Sequence, residues 1–290
     1  MATNYQGGKM IKKAIIPAAG FGTRLLPITK AQPKEMLPVV GKPIIQYVVE
    51  DLAEAGIDNI LMVTGKGKQA IENHFDKNFE LEEKLKKDGK NEALEILKEI
   101  DDIACIFYIR QRDQKGLGDA IFCGSEFIGN EYFVAMVGDT IYSGNVVKKL
   151  IDAYNKYKCS VIALERVPMD DVHKYGVIAG EEIEEGIFNI TDLVEKPPKE
   201  RAPSNLIITG AYLLSPKIFE HLKNTKPGRG GEIQLTDAMK SMLKEEKILG
   251  VEVDFKRYDI GDIEGWLKAN VELGIENIEG FKDYLKELCK

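Results

Sequence analysis

Histidine and cysteine are scarce in this 290-residue chain, with three of the first and four of the second. His74, His173 and His221 are scattered and form no HExxH pattern, which excludes that class of zinc enzyme. Cys105, Cys123, Cys159 and Cys289 show no CxxC spacing; the first three lie in apolar segments and read as buried free thiols, in keeping with a reducing compartment. No apolar run approaches the roughly 20 residues of a membrane span. The start, MATNYQGGKMIKK, lacks a secretory apolar stretch, so the cytoplasm is the expected location and no membrane partner is expected. Its polar first nine residues look like a leader or tag with Met10 as an alternative start, and residues 1–11 are expected to be flexible. With 47 acidic against 40 basic residues the formal charge is −7. That argues against a nucleic-acid surface while leaving room for local capture of a small anion.

What the chain does have is alternation. Lys13 to Pro17, Asn59 to Thr64, Ala104 to Arg110, Tyr132 to Val137 and Ser160 to Glu165 are short, β-branched and apolar. Between them lie helical patterns over 44–55, 68–74, 116–127 and 146–157. This rhythm predicts a Rossmann-like, doubly wound α/β fold. The charged stretch 79–100 reads as a solvated helical excursion. After residue 172 the pattern turns strand-rich (GVIAG, GIFNITDLVE, NLIITGAYLL, KILGVEVDFKRYDI), implying a mixed sheet with an added β-rich part. Residues 262–290 carry helical periodicity and are a candidate interface. The division expected is one domain over 12–261, its halves meeting near 170, followed by C-terminal helices.

The first strand runs into Ala18-Ala19-Gly20-Phe21-Gly22-Thr23-Arg24. Small residues at the carboxyl end of a parallel strand let backbone N–H groups approach phosphate oxygens, and Arg24 and Lys34 add positive charge in the same stretch. A purely structural turn would also explain Gly20 and Gly22. The dinucleotide fingerprint fails because position 25 is Leu25, and the Walker pattern fails because Gly41-Lys42, Gly65-Lys66 and Gly89-Lys90 are preceded at the required spacing by Met36, Ile60 and Lys84. Asp139 follows an apolar strand and should project from its carboxyl end, where a carboxylate suits Mg²⁺ beside phosphates, although a helix cap is the alternative. Asp259 also ends a β pattern and is the candidate second carboxylate. Glu195-Lys196-Pro197-Pro198 closes a strand with a charged pair, which a solvated turn would equally explain. Gly210 interrupts NLIITGAYLL, marking a bulge or close ligand approach. Gly176 is a second place where a ligand can pack on backbone. Glu232 either orients a pocket or caps a helix.

Gly20-x-Gly22-Thr23-Arg24-Leu25 followed by Pro33-Lys34-Glu35-Met36-Leu37-Pro38 resembles the signature of the sugar-nucleotide pyrophosphorylases, in the version carried by bacterial UTP–glucose-1-phosphate uridylyltransferases. The related thymidylyltransferases have SKQLLP-like residues in place of PKEMLP. Further matches follow in order: Lys115 to Gly118, Gly138-Asp139, Glu195-Lys196-Pro197, Gly231 to Asp237, and Tyr258 to Gly261, together covering about residues 12–280. Thr140 departs from the pattern.

The resemblance implies UMP transfer from UTP to glucose 1-phosphate, giving UDP-glucose and pyrophosphate. It also implies Mg²⁺ on Asp139 and Asp259, and catalytic roles for Arg24, Lys34 and Lys196. The nucleotide is expected on Ala18, Ala19, Gly20, Gly22, Thr23, Glu35, Gln111 and Gly116, with Gln111 and Gly116 at the uracil. The sugar phosphate is expected on Gly176, Glu195, Lys196, Gly210 and Glu232. Relatives form dimers or tetramers, so a homodimer or homotetramer is expected. The rivals are a dTTP-, CTP- or ATP-dependent transferase on the same fold and an inactive nucleotide-sugar-binding regulator; the missing third glycine disfavours an NAD-dependent dehydrogenase.

Overall fold

The computed structural model describes residues 10–288 and 290. Residues 1–9 of the expected leader, and Cys289, lie outside the described residues; Ile11, counted with that leader, is buried in the core. The strands are β1 (Lys13–Pro17), β2 (Pro38–Val39), β3 (Lys42–Pro43), β4 (Asn59–Thr64), β5 (Cys105–Arg110), β6 (Phe133–Met136), β7 (Thr140–Tyr142), β8 (Ser160–Arg166), β9 (Gly176–Glu184), β10 (Ile187–Glu195), β11 (Leu206–Leu214), β12 (Ile248–Glu252) and β13 (Arg257–Asp259). The helices are α1 (Ile44–Glu54), α2 (Gln69–Phe75), α3 (Phe79–Lys87), α4 (Asn91–Asp101), α5 (Leu117–Phe122), α6 (Ser125–Ile128), α7 (Val146–Tyr157), α8 (Ile218–Asn224), α9 (Leu235–Met242), α10 (Ile263–Asn277) and α11 (Phe281–Leu288).

Nine strands form one mixed sheet in the order β5-β4-β1-β6-β11-β8-β12-β10-β9. β5, β4, β1 and β6 are parallel, and β11 enters antiparallel between β6 and β8. Apolar side chains on both faces explain why these strands read as continuous hydrophobic runs. On β1, Ala14 and Ile16 face α1 and α7, while Ile15 faces α5, α8 and α9; β6, β8 and β11 alternate in the same way. Each large aliphatic side chain so buried contributes about 1.5–3 kcal/mol.

From β1 the winding runs outward to β4 and β5, whereas β6 lies on the other side of β1. The switch point is thus between β1 and β6, and in open α/β sheets ligands bind outside the strand ends there. Both the glycine turn and Asp139 leave the sheet at that point.

Several expectations change. The helix read over 116–127 is two, α5 and α6, and the excursion over 79–100 is likewise α3 and α4. KILGVEVDFKRYDI is two strands: β12 stays beside β8, whereas β13 leaves the sheet to pair with β7. The added β-rich part continues the main sheet and carries two helices, α8 and α9, that the strand-rich reading passed over. The thiols are not buried as expected. Cys105 is exposed because β5 is an edge strand with one uncovered face, and Cys123 and Cys159 are half-buried. None of the described helices is long and apolar enough to cross a membrane.

Candidate active site

β1 delivers the chain into the glycine turn, where the buried Ala18 still donates its N–H to Val63 O at 2.9 Å. Gly22 turns the backbone at φ +65°, and a Cβ there would lie 3.1 Å from Thr29 Cγ2 and 3.3 Å from Lys34 Cβ. Thr29 Oγ1 donates back to Gly22 O at 2.8 Å. The turn itself therefore requires glycine at 22. Gly20 has no protein atom within 4 Å of where its Cβ would stand, so packing does not require glycine there.

From Thr23 to Met36 the chain makes three short 3₁₀ turns. Leu25 and Leu37 pin this irregular stretch to Ile141, Tyr258, Ile260, Ala269 and Leu273. Because that cluster also holds β7 and β13, one patch of apolar packing sets the glycine turn and both aspartates. Asp259 is in register with Thr140, and Ile260 N–H donates to Asp139 O at 3.0 Å. Asp139 does not cap a helix: Asn145 caps α7, its Oδ1 accepting from Lys148 N–H at 2.9 Å.

Charge is concentrated here. Burial would raise the Asp139 carboxyl, but the Lys34 ammonium bonded to it and the nearby Arg24 reverse this and hold it below the usual carboxylate range. Burial would lower Lys34, but Asp139 and Glu35 hold it above its usual value. Glu35 is 1% exposed; burial pushes its carboxyl up, against the opposing pull of Lys68, 2.7 Å away, and Lys34. A Cβ on Gly261 would meet Arg24 Nη2 at 2.7 Å and Asp259 Oδ1 at 3.0 Å, so the Arg24 guanidinium lies beside the second aspartate.

Two cavities adjoin. The larger, about 640 Å³, is lined by Ala19, Gly20, Gly22, Thr23, Lys34, Glu35, Gln111 and Gly116. The smaller, about 230 Å³, is lined by Gly176, Glu195, Gly210 and Asp259. Asp139, Lys196 and Glu232 line both, forming the wall between them. Of the residues expected from the sequence, Ala18 and Arg24 line neither cavity.

Lys196 holds φ +44°, a conformation that costs a non-glycine residue about 1–3 kcal/mol and recurs at functional sites. Its N–H donates to Tyr175 O at 2.9 Å and its carbonyl accepts from Arg229 Nη1 at 3.1 Å. Glu195 Oε2 accepts from Thr236 Oγ1 at 2.6 Å. Gly210, at φ +93°, sits in the register shift between β11 and β8, where a Cβ would strike Val137 Cγ2 at 2.6 Å; the fold alone requires that glycine. Glu232 packs over Gly116 and precedes α9, whose N-cap is Gln234, so it does not cap that helix.

Four residues at the site escaped the sequence reading: Lys68, Gln114, Thr236 and Arg257. Gln114 Nε2 donates to Ala19 O at 2.6 Å, tying the loop before α5 to the glycine turn. The signal for each is a contact across a long sequence separation, which no local pattern carries.

As a metal site, the donor set is two carboxylates lining the smaller cavity, Asp139 in the turn between β6 and β7 and Asp259 at the end of β13. Among the described residues no group of three or more His, Cys, Asp or Glu is arranged to hold a metal ion. Two carboxylates without a third fit Mg²⁺, which keeps waters and takes phosphate oxygens to complete its shell.

A glycine turn at a switch point, and a charged wall dividing two anion-sized cavities, define an α/β enzyme built to hold two phosphorylated ligands against each other. The chain belongs to the Nucleotidyl transferase family, whose profile matches residues 13–275. A Methanocaldococcus jannaschii protein is 72% identical over 281 residues, covering 97% of this chain and 99% of that one, and is provisionally named a UTP–glucose-1-phosphate uridylyltransferase. A Bacillus subtilis protein named for that activity is 46% identical over 273 residues, 93% of this chain and 94% of its own. A solved UDP-glucose pyrophosphorylase complexed with UDP-glucose superposes with a TM-score of 0.86 at 45% identity, covering 92% of this chain and all of that one.

Proposed function

We propose that this enzyme transfers UMP from UTP to glucose 1-phosphate, forming UDP-glucose and pyrophosphate. The observation that carries the reading is the common wall: Asp139 and Lys196 border both cavities, where an α-phosphate and a sugar phosphate would meet. The nucleotide half, about 12–170, holds UTP along the glycine turn, and the half over about 171–261 holds the sugar phosphate on Gly176, Glu195, Lys196, Gly210 and Glu232. The sugar phosphate oxygen is already ionised near neutral pH and attacks the α-phosphorus in line, so no general base is needed. Arg24 neutralises the leaving pyrophosphate, and Lys34 and Lys196 draw the two phosphates together. Asp139 and Asp259 are the residues that would hold Mg²⁺, which when bound supplies charge neutralisation for the phosphates. The cytoplasm is the setting we assign. A homodimer or homotetramer agrees with exposed Ile263, Leu267, Tyr284 and Leu288 on α10 and α11.

Base choice follows from Gln111. Its Nε2 faces two acceptors, Gly116 O at 3.2 Å and Asp119 Oδ2 at 2.7 Å, so both amide donors are committed within the protein. The remaining Oε1 accepts from an imide N–H, which uracil and thymine carry and cytosine lacks. UTP is expected to exceed CTP in kcat/KM by about 10–100-fold, the cost of one unpaired polar contact. Gln111→Leu should collapse that ratio in a pyrophosphate-release assay across four triphosphates; an unchanged ratio would place base selection elsewhere. The same assay with several sugar 1-phosphates tests the function itself, and release dependent on UTP and glucose 1-phosphate is expected. Lys196→Ala should reduce turnover about 10²-fold with the melting temperature retained. Near-normal turnover would remove Lys196 from the mechanism.

A further inference from the structure

β13 alternates, so Tyr258 enters the apolar cluster beneath the site while Arg257 and Asp259 share the opposite face. The Arg257 side chain is 6% exposed, and it is not free. Its Nε donates to Glu165 Oε2 at 2.6 Å and its Nη1 lies 3.3 Å from Asp259 Oδ2. The guanidinium carbon sits 5.1 Å from the centroid of the Tyr175 ring. The other Asp259 oxygen, Oδ1, accepts from Gly261 N–H at 3.1 Å. Tyr175 in turn accepts the Lys196 N–H through its carbonyl and precedes Gly176. One buried side chain therefore touches the second carboxylate of the site on one side and the segment that seats Lys196 on the other.

We infer that Arg257 is a positioning residue that aims the Asp259 carboxylate at the cation, and that Glu165 keeps its guanidinium from neutralising Asp259. This rests on the reading of Asp139 and Asp259 as the metal-holding pair. The planar fork of arginine reaches Glu165 and Asp259 at once while lying against an aromatic ring; lysine, a point charge on a flexible stem, does not. The triad Glu165–Arg257–Asp259 carries a net charge of −1 where an Arg257–Asp259 pair alone would carry zero; Arg24 stands beside Asp259 in either case, so Glu165 still leaves the site one charge more attractive to a divalent cation. Arg257 lines the smaller cavity, but its guanidinium is engaged by Glu165 and Asp259, so in this inference it acts on neither reacting phosphate directly. Its effect passes through Asp259 and Tyr175.

The test is a titration of Mn²⁺ followed by electron paramagnetic resonance, with saturating UTP and no sugar phosphate, so that binding is read without turnover. Arg257→Lys keeps the charge and removes the fork; Mn²⁺ affinity should fall about 10–100-fold, as for outer-shell partners of metal ligands. Glu165→Gln leaves Arg257 in place but lets it pair wholly with Asp259, and should weaken Mn²⁺ binding in the same direction. It decides the matter should Arg257→Lys fail to fold. A lowered melting temperature with Mn²⁺ affinity unchanged in both variants would make the network merely structural and overturn the inference. Asp259→Asn separates the two levels. If it binds Mn²⁺ as the unaltered protein does, the metal reading itself fails and the inference with it. If it loses Mn²⁺ while both network variants keep it, only the role of Arg257 fails.

Discussion

Replacing Asp139 with asparagine is expected to lower kcat/KM about 10³-fold, some 4 kcal/mol of transition-state stabilisation, while leaving the fold in place. The amide has nearly the carboxylate's shape, so the apolar packing around β6, β7 and β13 has no reason to move. What is lost is a negative charge at the one wall that both cavities share. Lys34 loses its short ion-pair partner but keeps Glu35 nearby, so its ammonium is not stranded. Lys34 and Arg24 hold Asp139 below the usual carboxylate range despite its burial, so the group is charged throughout the neutral region. The stability its pairing contributes is present above the ordinary value and lost only as pH falls through the lower folded one. Asp139 should therefore add no inflection to a pH–rate profile near neutrality. Asp259→Asn should cost less, because Asp259 is more exposed and lines only the smaller cavity. Pyrophosphate release with saturating Mg²⁺, alongside a thermal melt, checks both. An Asp139→Asn enzyme retaining a tenth of its activity would contradict this assignment.

Much of the fold was legible because its signals are local. Asn59 to Thr64 is a strand over those same residues, and Val146 to Tyr157 a helix, since a fully buried parallel strand and an amphipathic helix each write their period into the chain. The passage from Ile248 to Asp259 was not legible, because the two strands there have the same composition and differ only in partner. β13 leaves the sheet since Ser143 and Lys256 bond each other and Phe255 packs edge-on against Tyr142 at 6.0 Å, contacts spanning more than a hundred residues. The same limit applies to the site. Gly22, Lys34 and Asp139 stand at strand ends or beside a glycine turn and could be singled out. Lys68 and Arg257 look like ordinary charged residues until folding buries them against Glu35 and Asp259. The resemblance alone puts Gln111 at the uracil; only the placement of Gly116 and Asp119 shows that its donors are taken.

Lys68→Met is expected to destabilise the protein by about 3–5 kcal/mol, because removing one partner of a buried ion pair leaves the other charge uncompensated. Lys68 and Glu35 side chains are 6% and 1% exposed and lie 2.7 Å apart. Lys34 remains near Glu35 and offsets part of the loss, which favours the lower end of that range. The pH dependence has a definite sign. Burial already raises the folded Glu35 carboxyl above 4.5, and without Lys68 it rises further. Between its unfolded and folded values the native state binds more protons than the unfolded chain, so stability falls as pH rises through that window. The deficit of Lys68→Met should thus be larger at pH 8 than at pH 5 in denaturant melts; a deficit independent of pH would show that Glu35 is not the stranded charge. Adding Glu35→Leu removes both ions and should restore most of the stability, since an apolar pair of similar volume replaces a buried ion pair at little cost. That double variant also decides how Glu35 serves the nucleotide. Its carboxylate is taken by Lys68, and it adjoins Lys34 in sequence, so it is placed to support Lys34 more than to touch UTP. A refolded double variant should show lowered kcat with KM for UTP within about threefold; a KM raised tenfold with kcat intact would make Glu35 a direct nucleotide contact.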